Sequence, residues 1–281
     1  MKISVIISTL GRKKELEDLL MSIDEINNYS HEIIIIDQNF SFLIDDLIVK
    51  FSKQFNIIQH KVDFRSLSKA KNFGIQMAKG ELICFPDDDS TFLRETIETG
   101  ISFLDNHSNK DFVFGKCIDQ EGNDSVIKFE TQSGDLDILN FEGKFIEATM
   151  FARTEILKKN LFDENLGIGA FFGAEEGYDL VYRLLKLKHN ISFNTNILFY
   201  HPQSILDYDS ISALKRVFNY RLGFAYVCMK HSLYFKYFKR LFFVLALIPI
   251  CFFIRRNRFK FYSIEFLSLI VGVFFAKQTL K

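Results

Sequence analysis

Three consecutive carboxylates, Asp87-Asp88-Asp89, follow the apolar run Glu81 to Phe85, with Pro86 between. Side by side they repel one another unless a cation or solvent compensates. On an extended backbone Asp87 and Asp89 point to the same side and can share one divalent ion. Oxygen ligands suit Mg2+ or Mn2+, ions that usually complete their shell with substrate phosphates. The bland alternative is a solvated loop that caps the next helix through Asp89 or Ser90. The position of the triplet at the end of an apolar strand, in an alternating α/β pattern, favours the metal.

Thr9, Arg12 and Asp37 form a second group. Thr9 follows the first apolar run and Asp37 the second, so parallel strands would make them neighbours. A carboxylate there can accept a hydrogen bond from a base N–H or a ribose hydroxyl. Arg65, Lys69 and Lys71 precede the acidic triplet and could neutralise a diphosphate; a solvated helix face is the plainer reading, and the preferred one for Lys69. Glu175-Glu176-Gly177-Tyr178-Asp179 opens a later helix. Acids at a helix N-terminus are favoured by the dipole, and one of the pair could equally act as a general base. His201 reads as a further metal ligand or as a satisfied histidine at a strand end; the ligand is preferred, although no HxH or HExxH spacing supports it.

These residues need strands and helices to hold them. Ile3 to Ser8 is an apolar, β-branched run of the kind buried on both faces, broken by Gly11. Leu16, Leu19, Leu20, Ile23 and Ile26 follow at helical spacing. Further strands are expected at Glu32 to Ile36, near Asn56 to Lys61, and at Glu81 to Phe85. A helix capped by Ser66 or Ser68 runs to about Ala78, with Gly80 near its end. Between Asn106 and Lys144 the pattern weakens. Ala174 to Leu187 returns to helix, with Leu180, Leu184 and Leu187 on one face, and Ile191 to Tyr200 reads as one or two strands. Strands alternating with helices imply an α/β fold with a mostly parallel sheet, which places ligands at the carboxyl ends of its strands.

The neutral total of 35 basic and 35 acidic residues in 281 conceals an asymmetry. Residues 1–209 carry 22 basic and 34 acidic side chains; residues 210–281 carry 13 basic and one acidic, Glu265. The division at 209 separates an acidic α/β region from a basic, Phe-rich tail. Leu241 to Ile254 is a stretch of 14 residues without charge, and Phe259 to Ala276 spans 18 residues interrupted by Lys260 and Glu265. A spanning helix needs about 20 apolar residues, so in-plane helices or a shallow hairpin turning at Asn257 fit better. Between Ser210 and Ile264 eleven basic residues have no acid to act as an internal partner, which suits an anionic lipid surface, and the apolar runs argue against nucleic acid. Buried helices packed on the rest of the chain are the alternative. Four scattered cysteines give no disulfide framework or zinc site, and the first residues resemble a strand rather than an export signal.

Taken together, ISVIISTLGR, EIIIIDQN, SLSKAKNFGIQMAKGELICFPDDDS and GAEEGYDLVYRLL resemble the family 2 glycosyltransferases of the GT-A, nucleotide-diphospho-sugar transferase fold, over residues 1 to about 205. The resemblance implies Mn2+ or Mg2+ at a DxD-type element, with Asp89 on the metal and Asp87 on the ribose side. It implies that Thr9 and Asp37 contact the nucleotide base, and that the late acidic motif supplies the base of an inverting displacement. Counting back from Asp179 and Arg183 selects Glu176, with Glu175 the alternative, because EEGYD is one residue longer than the usual motif. Lys71 stands where family members often carry Arg, which keeps the charge and loses bidentate contact.

The expectation is therefore a bacterial enzyme at the cytoplasmic face of the cell membrane. It would move a sugar from a nucleotide-sugar donor to a saccharide or lipid-linked saccharide, with Arg12, Arg65, Lys71 and Asp88 completing the donor site. STLGRK lacks the glycines of a dinucleotide or phosphate loop, which disfavours a nucleotidyltransferase. An inactive, membrane-bound scaffold that binds the same donor is the rival from another class.

Overall fold

The computed structural model describes residues 1–203 and 207–281. The chain folds as two compact units. The first comprises Met1–Arg65, Lys69–Leu161 and Leu180–Ser204; the second comprises Ser66–Ser68, Phe162–Asp179 and Ile205–Lys281. Residues 162–179, grouped by sequence with the acidic region, thus belong to the same compact unit as the basic tail.

In chain order the first elements are β1 (Ile3–Thr9), α1 (Lys13–Met21), β2 (His31–Asp37), α2 (Asp45–Phe51), β3 (Ile57–Lys61), α3 (Leu67–Met77) and β4 (Leu82–Cys84). Strands β3, β2, β1 and β4 are neighbours in that order, all parallel. Ile3, Val5, Ile6 and Ile7 of β1 and Ile33 to Ile36 of β2 are buried. Covering both faces of a strand explains the continuous β-branched runs, and each such side chain contributes about 1.5–3 kcal/mol of burial.

Next come β5 (Thr91–Phe92), α4 (Thr96–Asn106), β6 (Phe112–Ile118), β7 (Gly134–Asp135), β8 (Met150–Arg153), α5 (Thr154–Lys159), α6 (Glu176–Lys186) and β9 (Ile191–Tyr200). They extend the sheet to β3-β2-β1-β4-β8-β6-β9-β5, with β7 on β9. Strand β8 runs antiparallel to both β4 and β6, and β6 runs parallel to β9. In α6, Leu180 and Leu184 are buried, but Leu187 lies past the helix end and is 62% exposed, so it is not part of the expected apolar face.

The β1–β4 junction carries a buried polar device. Ser4 Oγ donates to Glu32 Oε1 (2.6 Å), which also accepts from Lys79 N (2.6 Å), while Gly80 N donates to Ser4 Oγ (2.8 Å). The turn into β4 is thereby clamped to β1 and β2. A Cβ on Gly80 would lie 2.5 Å from Ser4 N and 2.6 Å from Ile3 C. Close backbone approach, rather than a helix cap, is what this glycine provides.

In the second unit three long helices, α7 (Ile211–Lys230), α8 (Tyr234–Phe253) and α9 (Arg256–Thr279), pack around Phe224, Ala225, Cys228, Tyr237, Val244 and Leu269. The break between α8 and α9 falls at Ile254–Arg255, close to the expected Asn257. Both helices are longer than the apolar runs that suggested them. Arg256–Thr279 reaches the length and hydropathy of a membrane span, with mean hydropathy 1.7 and a third of that window buried; core helices of soluble proteins share both properties.

The premise that the tail's cations lack internal partners is overturned. Fully buried Glu265 accepts from Arg221 Nε (2.7 Å) on α7 and Arg240 Nε (2.7 Å) on α8, a tie across all three helices. The acid-free stretch ends one residue before Glu265, so a count along the chain misses a partner that the fold supplies from the next helix.

Replacing Gly80 by Ala should destabilise the protein by about 1–3 kcal/mol through overpacking at the β1–β4 junction. The check is a lowered urea midpoint with the slope of the transition unchanged.

Candidate active site

The first unit gathers its reactive side chains at the carboxyl ends of β1, β2 and β4. Thr9 pairs in register with Asp37 across β1 and β2, and both are buried. Asp37 Oδ1 accepts from Asn39 N (3.0 Å) and Asn39 Nδ2 (2.7 Å), and Oδ2 accepts from Gln59 Nε2 (2.8 Å). Asn39 Oδ1 in turn accepts from Gly11 N (2.7 Å), which fixes the turn after β1. A carboxylate offers about four acceptor positions, so Asp37 Oδ2 retains one.

The triplet leaves β4 as expected, but its three carboxylates take different surroundings. Asp88 is buried and turns to Arg12, whose Nη1 lies 2.7 Å from Asp88 Oδ1 and 2.9 Å from Asp89 Oδ2. Burial raises the Asp88 carboxyl, opposed by the Arg12 charge. Asp87 and Asp89 meet His201, with one ligand atom from each residue lying within 4.8 Å of the others. His201 Nδ1 is 2.8 Å from Pro202 O and Nε2 is 3.5 Å from Asp89 Oδ1. Donation from Nδ1 to the Pro202 carbonyl leaves the Nε2 lone pair for a cation, the usual orientation of a ligating imidazole. Two carboxylates and one such imidazole fit Mn2+ or Mg2+. A helix cap does not describe the triplet: Ser90 Oγ donates to Asp87 O within a turn, and α4 begins only at Thr96.

Lys71 is buried on α3, with Nζ 3.6 Å from Glu147 Oε1. Its side chain is not the solvated helix face of the plainer reading, which describes exposed Lys69, over the Phe64 ring at 4.4 Å. Asp87 is raised to about 6, chiefly by desolvation; the charges of Glu147 and Asp89 add to the rise, and those of Lys71 and His201 oppose it. Glu147 is thus a member of the cluster that sequence reasoning missed. It follows the weakly patterned region and precedes β8, and only the pairing of β8 with β4 brings it beside the triplet. Arg65 is exposed, 4.5 Å from the ring of Phe40.

Glu175 and Glu176 belong to the second unit. Glu175 has a left-handed backbone, φ 73°, just before α6, while Glu176 is buried in its first turn. A Cβ on Gly167 (φ +96°) would lie 2.7 Å from Ser68 Oγ and 3.2 Å from Glu176 Cδ. Glycine there leaves room for the carboxylate; of the two cap candidates, Ser66 directly precedes α3, while Ser68 lies inside it and donates to Leu166 O (2.6 Å). In the same unit, fully buried Asp179 Oδ1 lies 2.8 Å from both Lys230 Nζ and His231 Nε2. Lys230 also reaches Asp163 Oδ2 (2.6 Å), which accepts from Tyr226 OH (2.9 Å). The end of α7 therefore anchors the turn that carries Glu176.

Residues 4–170 match the model of glycosyl transferase family 2. The chain belongs to glycosyl transferase family 2. Among relatives of this family 2 chain is the GalNAc(5)-diNAcBac-PP-undecaprenol beta-1,3-glucosyltransferase of Campylobacter jejuni, 28% identical over 188 residues that cover 62% of this chain and 57% of that one. The curated relatives it matches are longer: the matched part covers between 13% and 62% of their lengths. Solved structures with the same GT-A fold include Staphylococcus aureus TarS 1–349 with UDP-GlcNAc, with a TM-score of 0.60, 16% identity, and coverage of 99% of this chain and 92% of that one. The Pyrobaculum calidifontis mannosyltransferase PcManGT, solved with GDP-Man and Mn2+, has a TM-score of 0.59 and 11% identity, covering 99% and 74%.

A cation bound at Asp87 must displace the proton that burial favours. Mn2+ affinity, measured by calorimetry, should be level above about pH 7 and fall roughly tenfold per unit below about 6. In His201→Gln, where no imidazole competes for protons, a carboxylate with an ordinary value near 3.8 would hold its affinity to much lower pH. Because the folded state holds this proton better than the unfolded chain, the metal-free protein should lose stability as pH rises from about 4 through about 6.

Proposed function

We propose that this family 2 chain is an inverting glycosyltransferase that moves a sugar from a nucleoside-diphosphate sugar to a hydroxyl of a saccharide or lipid-linked saccharide. The observation that carries the reading is the convergence of Asp87, Asp89 and His201 at the ends of parallel strands, beside the Thr9–Asp37 pair. The names of the relatives support the donor class, and the lipid-linked saccharide in the Campylobacter name supports the acceptor.

In this reading Asp37 accepts a hydrogen bond from the nucleotide base, and Thr9 borders the same pocket. Arg12 keeps Asp88 and Asp89 in place when the donor is absent and can turn toward an arriving diphosphate. Asp89, Asp87 and His201 would hold Mn2+ or Mg2+, which supplies positive charge against the departing diphosphate. Lys71 adds positive charge near Asp87, and Arg65 is assigned to the outer edge of the donor site. The acceptor oxygen bonds to the anomeric carbon as the bond to the diphosphate breaks, and the hydroxyl proton passes to Glu176. A single displacement of this kind inverts the anomeric centre.

The reaction is placed at the cytoplasmic face of a bacterial membrane. Lys239, Arg255, Arg256 and Lys260, together with exposed Phe235, Phe242, Phe253 and Phe274, give α8 and α9 both charge and apolar area for an anionic surface. Full-length protein should sediment with anionic vesicles at low salt and less with neutral ones; protein left in the supernatant with both would contradict the placement.

Glu176→Gln keeps the shape of the side chain and removes its basicity. Turnover of a nucleotide sugar should fall about 10²-fold or more while donor binding persists. Loss on Glu175→Gln with none on Glu176→Gln would move the base by one residue. Asp89→Ala should abolish transfer without unfolding the protein; normal turnover of that variant in Mn2+ would contradict the metal assignment.

A further inference from the structure

In the second unit, the loop that precedes Glu176 carries two apolar side chains at its tip, Ile168 (61% exposed) and Phe171 (55% exposed). A lone apolar side chain on a surface needs no explanation, but these two stand on a firmly held loop. Gly167 N donates to Phe172 O (2.9 Å), Phe172 N to Asn165 O (3.2 Å) and Ala170 N to Gly167 O (3.0 Å). The start of α3 holds the same loop, since Leu67 N donates to Ile168 O (2.9 Å) and Ser68 Oγ to Leu166 O. Gly167 (φ +96°) and Gly169 (φ +88°) flank Ile168 in the left-handed region, so the turn that exposes it depends on both glycines.

The Phe171 ring is fixed as well. It makes T-shaped contacts with Phe172 (5.0 Å, 90°) and Phe275 (5.0 Å, 66°), and Phe172 is buried beside Tyr226 (4.3 Å). A ring ordered by its neighbours yet still in water loses little further freedom when a ligand covers it.

The loop also borders the candidate base. A Cβ on Gly167 would lie 3.2 Å from Glu176 Cδ and 3.4 Å from Oε1, so at this point only a hydrogen separates the loop from the carboxylate. An occupant of the tip must therefore bring a hydroxyl toward Glu176 and an apolar face to Phe171 within the width of one short loop. A hydrocarbon chain has the face and lacks the hydroxyl, and a linear polyol has hydroxyls and no fixed face. A pyranose has both, because its C–H groups gather on one face and its hydroxyls radiate from the edge.

We propose that Phe171 is a positioning residue for the acceptor: a pyranose ring stacks on it, with Ile168 at the edge, and so presents a hydroxyl to Glu176. This rests on the sugar-transfer reading with Glu176 as base, and adds the residue that selects a cyclic acceptor.

The test follows nucleoside diphosphate release by the full-length chain in Mn2+ from UDP-GlcNAc, UDP-glucose and GDP-mannose. Methyl glycosides of glucose, galactose, mannose and N-acetylglucosamine serve as acceptor probes, with sorbitol as the open-chain control. At least one glycoside should accelerate release saturably, and sorbitol should not. Phe171→Ala should raise the KM of that glycoside about tenfold while the KM of the donor stays within about twofold. Phe171→Leu, apolar without a ring face, should behave like Phe171→Ala, whereas Phe171→Trp should bring the KM back to within about threefold of wild type. The chain has no other tryptophan, so Phe171→Trp should also show saturable quenching by the same glycoside. An unchanged KM in Phe171→Ala, full restoration by Phe171→Leu, release that no glycoside accelerates, or equal acceleration by sorbitol would overturn the platform and leave sugar transfer standing. An unquenched Phe171→Trp would do the same even if Phe171→Ala does not fold. No release from any of the donors would count against sugar transfer itself, and against the platform with it.

Discussion

Three adjacent carboxylates at a strand end are a standing electrostatic cost, and the first unit is organised to offset it. Arg12 bridges Asp88 and Asp89, while Lys71, paired with Glu147, lies near Asp87. Among the described residues, Asp87 and Asp89 each keep a carboxylate oxygen that converges with a ring nitrogen of His201. A cation is the group that this remaining negative charge calls for, and the imidazole tautomer set by Pro202 is suited to help hold it. Removing Arg12 or Lys71 would raise the cost of the cluster; removing an acid would weaken the attraction for the cation.

The sheet makes this arrangement possible. Asp87 to Asp89 meet the ends of β1 and β2 because β4 is clamped beside β1 through Ser4, Glu32 and Gly80. The second unit handles its own charges in the same way. Asp179 and Asp163 take up Lys230, His231 and Tyr226, and Glu265 takes up two arginines. Such buried pairs rarely add much net stability, but each is expensive to break on one side only. They make the end of α7 a fixed support for the first turn of α6, and so for Glu176.

Much of the first unit was legible in the sequence because strands buried on both faces write themselves as unbroken Ile and Val runs. Ile3 to Ile7 and Ile33 to Ile36 leave little choice of structure, and the acids that end such runs stand out. The Thr9–Asp37 pairing follows from strand order alone. Glu147 was not legible, since its meaning depends on β8 pairing with β4, a contact made across more than sixty residues. The burial of Lys71 was hidden for a related reason: a lysine on a helix looks solvated until the element covering it is known. The tail misled in the opposite way, because counting charges along the chain cannot see that Arg221 and Arg240 converge on one glutamate from two other helices.

The central claim is that Asp87, Asp89 and His201 form one cation site. It is tested most directly by following the imidazole NMR signals of the six histidines during addition of Mn2+ at substoichiometric levels. The signal of His201, assigned by its absence in His201→Gln, should broaden and vanish first, and in Asp89→Asn it should persist to much higher Mn2+. Earlier loss of another histidine signal, or equal broadening of His201 in wild type and Asp89→Asn, would contradict the site.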